Sequence, residues 1–235
     1  MHCFKDYQPD YDTDWPFHVI KPSPLSSSAG PLRAKAGHNT RQEILDAAAI
    51  VFSEMGYKAA SMQAIAERVG IRPPSIYSHF QSKKQILYTV VEEATTNLLS
   101  TCEKSVKQSP PSPGEQLIAF VKAHVYVELD RLEVMSVMDN NLFRGASINH
   151  ALDKRQEKIL VNIQRNIMEL LRRILEDGQK AGVMDFKDLD VTTFAILGII
   201  EHIPYWYRPD GRLSADELVQ EVAELTLITA GFKSV

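Results

Sequence analysis

From Thr40 onward apolar residues recur at helical spacing, and no stretch shows a convincing period-2 alternation of a strand. The first predicted helix opens on Thr40-x-x-Glu43, a capping box, and carries Ile44, Ala47, Ala48, Val51, Phe52 and Met55 on one face until Gly56 ends it. A second helix follows Ser61 as N-cap, buries Ile65, Ala66 and Val69, and stops at Gly70, which can take a positive φ. Pro73 and Pro74 fit only a helix's first turn, so they mark the start of a short third helix through Ser75, Ile76, Tyr77, Ser78 and His79. Ser82-x-x-Gln85 caps a long fourth helix whose stripe is Ile86, Leu87, Val90, Val91, Ala94 and Leu98.

Past the break Ser109-Pro110-Pro111-Ser112-Pro113-Gly114, helical periodicity returns near residues 115–138, 149–181, 190–207 and 214–230. The last stretch opens on the capping box Ser214-x-x-Glu217, after the turn Arg208-Pro209-Asp210-Gly211. The expected fold is all-α: an N-terminal three-helix helix-turn-helix head joined to a larger helical body. Residues 1–39 hold five prolines, the run Ser26-Ser27-Ser28 and no sustained period, so they read as a flexible tail. The aromatics Phe4, Tyr7, Tyr11, Trp15 and Phe17 leave open a docked front half, and a translation start later than Met1 is a further alternative. The expected division is tail 1–39, head 40–87 and body 88–235.

Charge sharpens this division. Arg33 to Lys84 contains eight Lys or Arg against four Asp or Glu, about +4, whereas the whole 235-residue chain has a net charge of -4. A basic head on an acidic body is the footprint of a protein that touches nucleic acid locally. With 44% hydrophobic residues the chain can build a proper core. Cys3 and Cys102 alone suggest no disulfide framework, no apolar run approaches the roughly 18 residues of a membrane span, and no secretory signal is readable, so a cytoplasmic protein without membrane partners is expected. No metal site or cofactor is implied.

Ala66, Gly70 and Ile76 fall where a helix-turn-helix needs a close helix contact, a positive-φ turn and a core anchor. Tyr77 and His79 near the end of the third helix, with Lys83 and Lys84 opening the fourth, suit phosphate oxygens beside a groove. Taken singly, each has a plain structural reading as a half-buried aromatic, a surface histidine or a solvated helix start. Arg33, Lys35 and Arg41 form a basic approach that could reach a minor groove or neutralise phosphates.

The segment 40–87 resembles the DNA-binding domain of the TetR family of transcriptional regulators. The matching residues are Ile65-Ala66, Val69-Gly70-Ile71, Ser75-Ile76-Tyr77-Ser78-His79-Phe80, Lys83, and the first-helix ending Phe52-x-x-x-Gly56. The resemblance implies that the third helix enters the major groove, with Gln63, Arg72, Pro73 and Ser75 toward the bases and Tyr77, His79 and Lys83 toward phosphates. Ser61, Arg41 and Lys84 complete the expected DNA-facing set. Arg72 is the best guanine reader, since its fork can donate to O6 and N7. Pro73 and Pro74 offer apolar surface and no donor.

A palindromic operator and a homodimer are expected, because one short helix reads DNA weakly and paired heads sit about 34–36 Å apart. The resemblance places the pairing on the last two helices, where Leu197, Ile200, Leu218, Val222 and Leu225, with Phe194, Ile203 and Ile228, would supply the seam. It also implies a small-molecule pocket in the body. The run Tyr205 to Ser214 is similar to that of members responding to acyl-CoA, so a hydrophobic or acyl-CoA-type effector is expected. Phe120, Met168 and Phe194 would line an acyl tunnel, Arg144 and Arg165 would meet phosphates, and His124, Asn140, Asn141 and Asn162 are polar residues on apolar stretches. Core packing and solvated surface are the plainer readings of each. The expected activity is repression relieved by the effector. Two alternatives stand beside it: a dimeric DNA-binding regulator with no small-molecule effector, and a helical enzyme, which the lack of any Walker, HExxH, CxxC, Gly-x-Ser-x-Gly or dinucleotide motif disfavours.

Overall fold

The computed structural model describes residues 40–130 and 152–233. Among them the chain is helical with no strand, in nine elements: α1 (Thr40–Ala59), α2 (Met62–Val69), α3 (Pro73–Tyr77), α4 (Lys83–Gln108), α5 (Pro113–Asp130), α6 (Lys154–Lys180), α7 (Leu189–Glu201), α8 (Ile203–Trp206) and α9 (Ala215–Thr229). The expectations for the tail 1–39, with Arg33 and Lys35, lie outside the described residues, as do Asn140, Asn141 and Arg144.

The head forms as its sequence signals require. Within α1 Gly56 leaves helical geometry at φ 74° and ψ 156°, so the helix breaks where the glycine was expected to end it. The α1 stripe is buried from Ile44 to Phe52, but Met55 is half exposed, because the break begins before its turn can pack. Ser61 caps α2 by accepting from the Ala64 N–H at 3.0 Å, and Gly70 ends it in the left-handed region at φ 81°. Ile65, Ala66, Val69, Ile76 and Phe80 then close a core against Ile44, Phe52, Ile86 and Leu87. Ser82 accepts from the Gln85 N–H at 3.2 Å as expected, yet the Gln85 side chain accepts from Gln81 rather than Ser82, one residue outside the expected box.

In the body, α5 packs against α4, α6 and α9, and α7 packs against α6 and α9. The helix expected from 190 to 207 is two: α7 ends at Glu201 and Pro204 falls in the first turn of α8, since proline cannot supply the N–H that would continue α7. Capping explains the α6 start too. Asp153 accepts from the Arg155 and Gln156 N–H groups while Gln156 accepts from the Asp153 N–H, a full box that moves the start to Lys154. The Ser214 and Glu217 box opens α9 as expected. The chain then folds back: Gly231, at φ 61°, lets Asp185 donate to the Ala230 and Gly231 carbonyls, and Lys233 donates to Val183. Cys102 is free and buried, and burial pushes its thiol up to about 12, so it acts as a core residue and not as a nucleophile.

Candidate DNA-reading head and effector cavity

Arg72 is the N-cap of α3, Pro73 and Pro74 form its first turn, and Ile76 alone of this helix is fully buried. With Ile76 pinned inside, the helix turns Arg72, Pro73, Ser75, Tyr77 and His79 outward, and Tyr77 is 55% exposed despite its ring. The polar surface of α3 is therefore available to a groove. Ser61 and Gln63 are exposed at the start of α2, where Gln63 donates to Glu67 at 2.9 Å. Lys84 is half-buried in the first turn of α4.

Two cations of the expected set have partners within the chain. The Lys83 ammonium donates to the carbonyls of Tyr57 and Ala60, both at 2.6 Å, and lies 4.5 Å from the centre of the Tyr57 ring. It satisfies carbonyls that α1 leaves orphaned at its broken end, and burial holds its pKa below the usual lysine value. Lys83 thus clamps α1 to α4, a structural role beside the expected one. Arg41 likewise donates to Glu93 at 2.8 Å and stacks 5.3 Å over the Phe80 ring, which ties α1 to α4. The nearby Arg68 is held by both oxygens of Glu54, at 2.9 and 3.1 Å.

Between α4, α5, α6 and α7 lies a cavity of about 460 Å³. Its wall is mostly apolar: Leu98, Val161, Ile167, Met168, Phe194, Leu197 and Pro204 contribute, with Thr95, Gly198 and Glu201. His124, Arg165, Met168 and Phe194 of the expected pocket set stand in this wall. Phe120 does not. It is fully buried behind the wall, with its ring edge-on to His124 at 5.7 Å, because its place on α5 faces the α4 core. Asn162 is exposed outside the cavity. Sequence reading missed Glu128 and Gln164. Glu128 was legible as the i+4 partner of His124 on an otherwise apolar helix; the pair is buried, with Nε2 and Oε1 3.4 Å apart. Gln164 carried no such signal.

Residues 44–89 match the family described as bacterial regulatory proteins, tetR family, and residues 110–229 match the tetracyclin repressor-like, C-terminal domain. The chain belongs to the TetR family. It is a TetR-type transcriptional regulator, similar to the HTH-type transcriptional repressor KstR2 of Rhodococcus jostii at 24% identity over 88% of this chain and 96% of that one. Among solved structures it is similar to the TetR-family regulator PfmR from Thermus thermophilus, at 29% identity with a TM-score of 0.69 over 79% of this chain and 97% of that one. It also shares the fold of AibR in complex with isovaleryl coenzyme A and operator DNA, at 20% identity, a TM-score of 0.69, and coverage of 83% and 100%.

The last helices of this TetR-family regulator divide the eight residues expected at a dimer seam: Phe194, Leu225 and Ile228 are exposed, and Ile203 is buried. Leu197, Ile200, Leu218 and Val222 are likewise buried inside the protomer. Val191 at 68%, Phe194 at 63% and Ile228 at 74% exposure join Leu225 on the outer side of α7 and α9. Both helices are apolar on two sides, and periodicity cannot say which side faces α5. Among the described residues no helix is long and apolar enough to cross a membrane, and no cluster of three metal-ligating side chains occurs.

Proposed function

We propose that this TetR-type regulator is a homodimeric repressor, released from a palindromic operator when a small hydrophobic or acyl-CoA-type effector fills the cavity. Residues 40–87 serve as the DNA-binding unit and 88–235 as the effector and dimerisation unit. α3 enters the major groove, with Arg72 and Ser75 toward base edges, Pro73 beside them as apolar surface, and Tyr77, His79 and Lys84 toward phosphates. The partner covers Val191, Phe194, Leu225 and Ile228, since large apolar side chains exposed at i, i+3 spacing on both α7 and α9 favour burial against another surface.

The observation that carries the reading is the course of α4. This helix begins in the head at Lys83, clamped to α1, and twelve residues on it supplies Thr95 to the cavity wall. At 1.5 Å per residue that is about 18 Å of rigid helix, so a ligand that displaces the α4 wall tilts the head to which it is fastened. Arg165, exposed on α6 at the cavity, suits the phosphates of a CoA moiety whose acyl part lies inside. The isovaleryl-CoA and operator complex of AibR, which has the same fold, supports this choice of ligand class.

The test is a gel shift of the protein on its own promoter region at physiological salt, with and without a panel of acyl-CoA thioesters. Specific binding released by a thioester is expected. Binding that the whole panel leaves unchanged removes the acyl-CoA effector and keeps the DNA reading, and absence of specific binding removes both.

A further inference from the structure

Among the described residues, two buried side-chain nitrogens have no hydrogen-bond partner: His124 Nδ1 and Gln164 Nε2. Both side chains belong to the wall of this same apolar cavity, His124 from α5 and Gln164 from α6. Native interiors satisfy nearly all such groups, so two orphans in a single wall are a complementary surface awaiting a partner. Neighbouring polar groups are already engaged. Thr95 donates to the Val91 carbonyl at 2.7 Å, and His124 Nε2 faces the Glu128 carboxylate.

We propose that the effector carries an uncharged oxygen, a hydroxyl or a ketone, on the apolar part that enters the cavity, and that Gln164 and His124 recognise it. This deepens the acyl-effector reading above and rests on it. With the imidazole proton on Nε2 toward Glu128, Nδ1 is a bare acceptor, and a hydroxyl both donates to it and accepts from the Gln164 amide. A ketone oxygen accepts from the Gln164 amide. A carboxylate at this depth meets the buried Glu128 carboxylate, and an ammonium offers nothing for the Gln164 N–H to donate to. A plain saturated chain fits the space but seals both orphans away from water. The wall therefore discriminates between two ligands of nearly equal size by one oxygen.

Isothermal titration of the full chain with decanoyl-CoA and cyclohexanecarbonyl-CoA, beside hydroxy and oxo derivatives substituted toward the distal end of chain or ring, tests this. At least one oxygenated member binds about tenfold tighter than its parent, or more. Gln164→Leu, at a half-buried helix position, abolishes that preference while the unsubstituted parent binds at least as tightly as before; retained operator binding shows that the variant is folded. A purely structural Gln164 would not move the ratio between the two ligands. Parents that bind as tightly as every oxygenated member, or a preference that survives Gln164→Leu, overturn this inference and leave the acyl-effector reading standing. Binding of neither series overturns both.

Discussion

Lys83→Met separates a structural clamp from a phosphate contact. Methionine keeps the length and apolar stem of lysine and removes only the ammonium, so packing over Tyr57 is largely preserved. Lost are two short bonds to the Tyr57 and Ala60 carbonyls, both at 2.6 Å, and the charge 4.5 Å from the Tyr57 ring. Hydrogen bonds to a charged group contribute about 1.5–3 kcal/mol when buried. Here the site is only partly buried and water can reach the freed carbonyls, so the net loss of unfolding free energy should be about 1–2 kcal/mol, roughly 2–8 °C in melting temperature for a chain of this size. Urea and thermal unfolding read that term. Salt dependence of operator binding reads the other role, because losing one phosphate contact lowers the slope of log K against log salt by about 1. The expected pattern is reduced stability with an unchanged slope for Lys83→Met, and unchanged stability with a reduced slope for Lys84→Met. Unaltered melting of Lys83→Met together with a slope lower by about one would refute the clamp.

Five further substitutions probe the remaining assignments. Ile228→Glu, on the exposed side of α9, should give monomers in sedimentation where the parent is a dimer, whereas Ile200→Ala should keep the dimer and lose about 2–5 kcal/mol of stability in urea; the reverse pattern would return the seam to the inner side. Arg72→Ala should cost about 1–3 kcal/mol at particular base positions in a competition with mutated operators, while Tyr77→Phe should weaken all sequences alike; equal losses across every site from Arg72→Ala would make it a phosphate contact. Tyr88 is pushed up to about 12 by burial and by donating to Glu92, so its contribution to stability is complete below about pH 10, the usual tyrosine range, and fades as pH rises to about 12. Tyr88→Phe should flatten that alkaline decline in denaturant midpoints, and an identical decline in the variant would assign it to other groups.

Local chemistry made the head legible from sequence alone. Ser61, Gly70, Pro73 and Ile76 act through backbone donors, φ preference and one anchoring side chain, all within about fifteen residues, so their positions announced α2, the turn and α3 without reference to the rest of the molecule. The capping box at Ser214 was equally readable. What the sequence left open were matters of direction. Lys83 looks like any solvated lysine at a helix start until Gly56 breaks α1 and brings three residues' carbonyls around its ammonium. Ile200 and Ile228 each belong to a helix with apolar residues on two sides, and only packing against the neighbouring helices makes one of them core and the other surface. The cavity follows the same rule. His124, Arg165, Met168 and Phe194 were chosen by residue type, but Gln164 joined them and Phe120 left them because the crossing of α4, α5, α6 and α7 decides which sides face the void. Periodicity fixes that a helix has an apolar side; the neighbouring helices decide what that side meets.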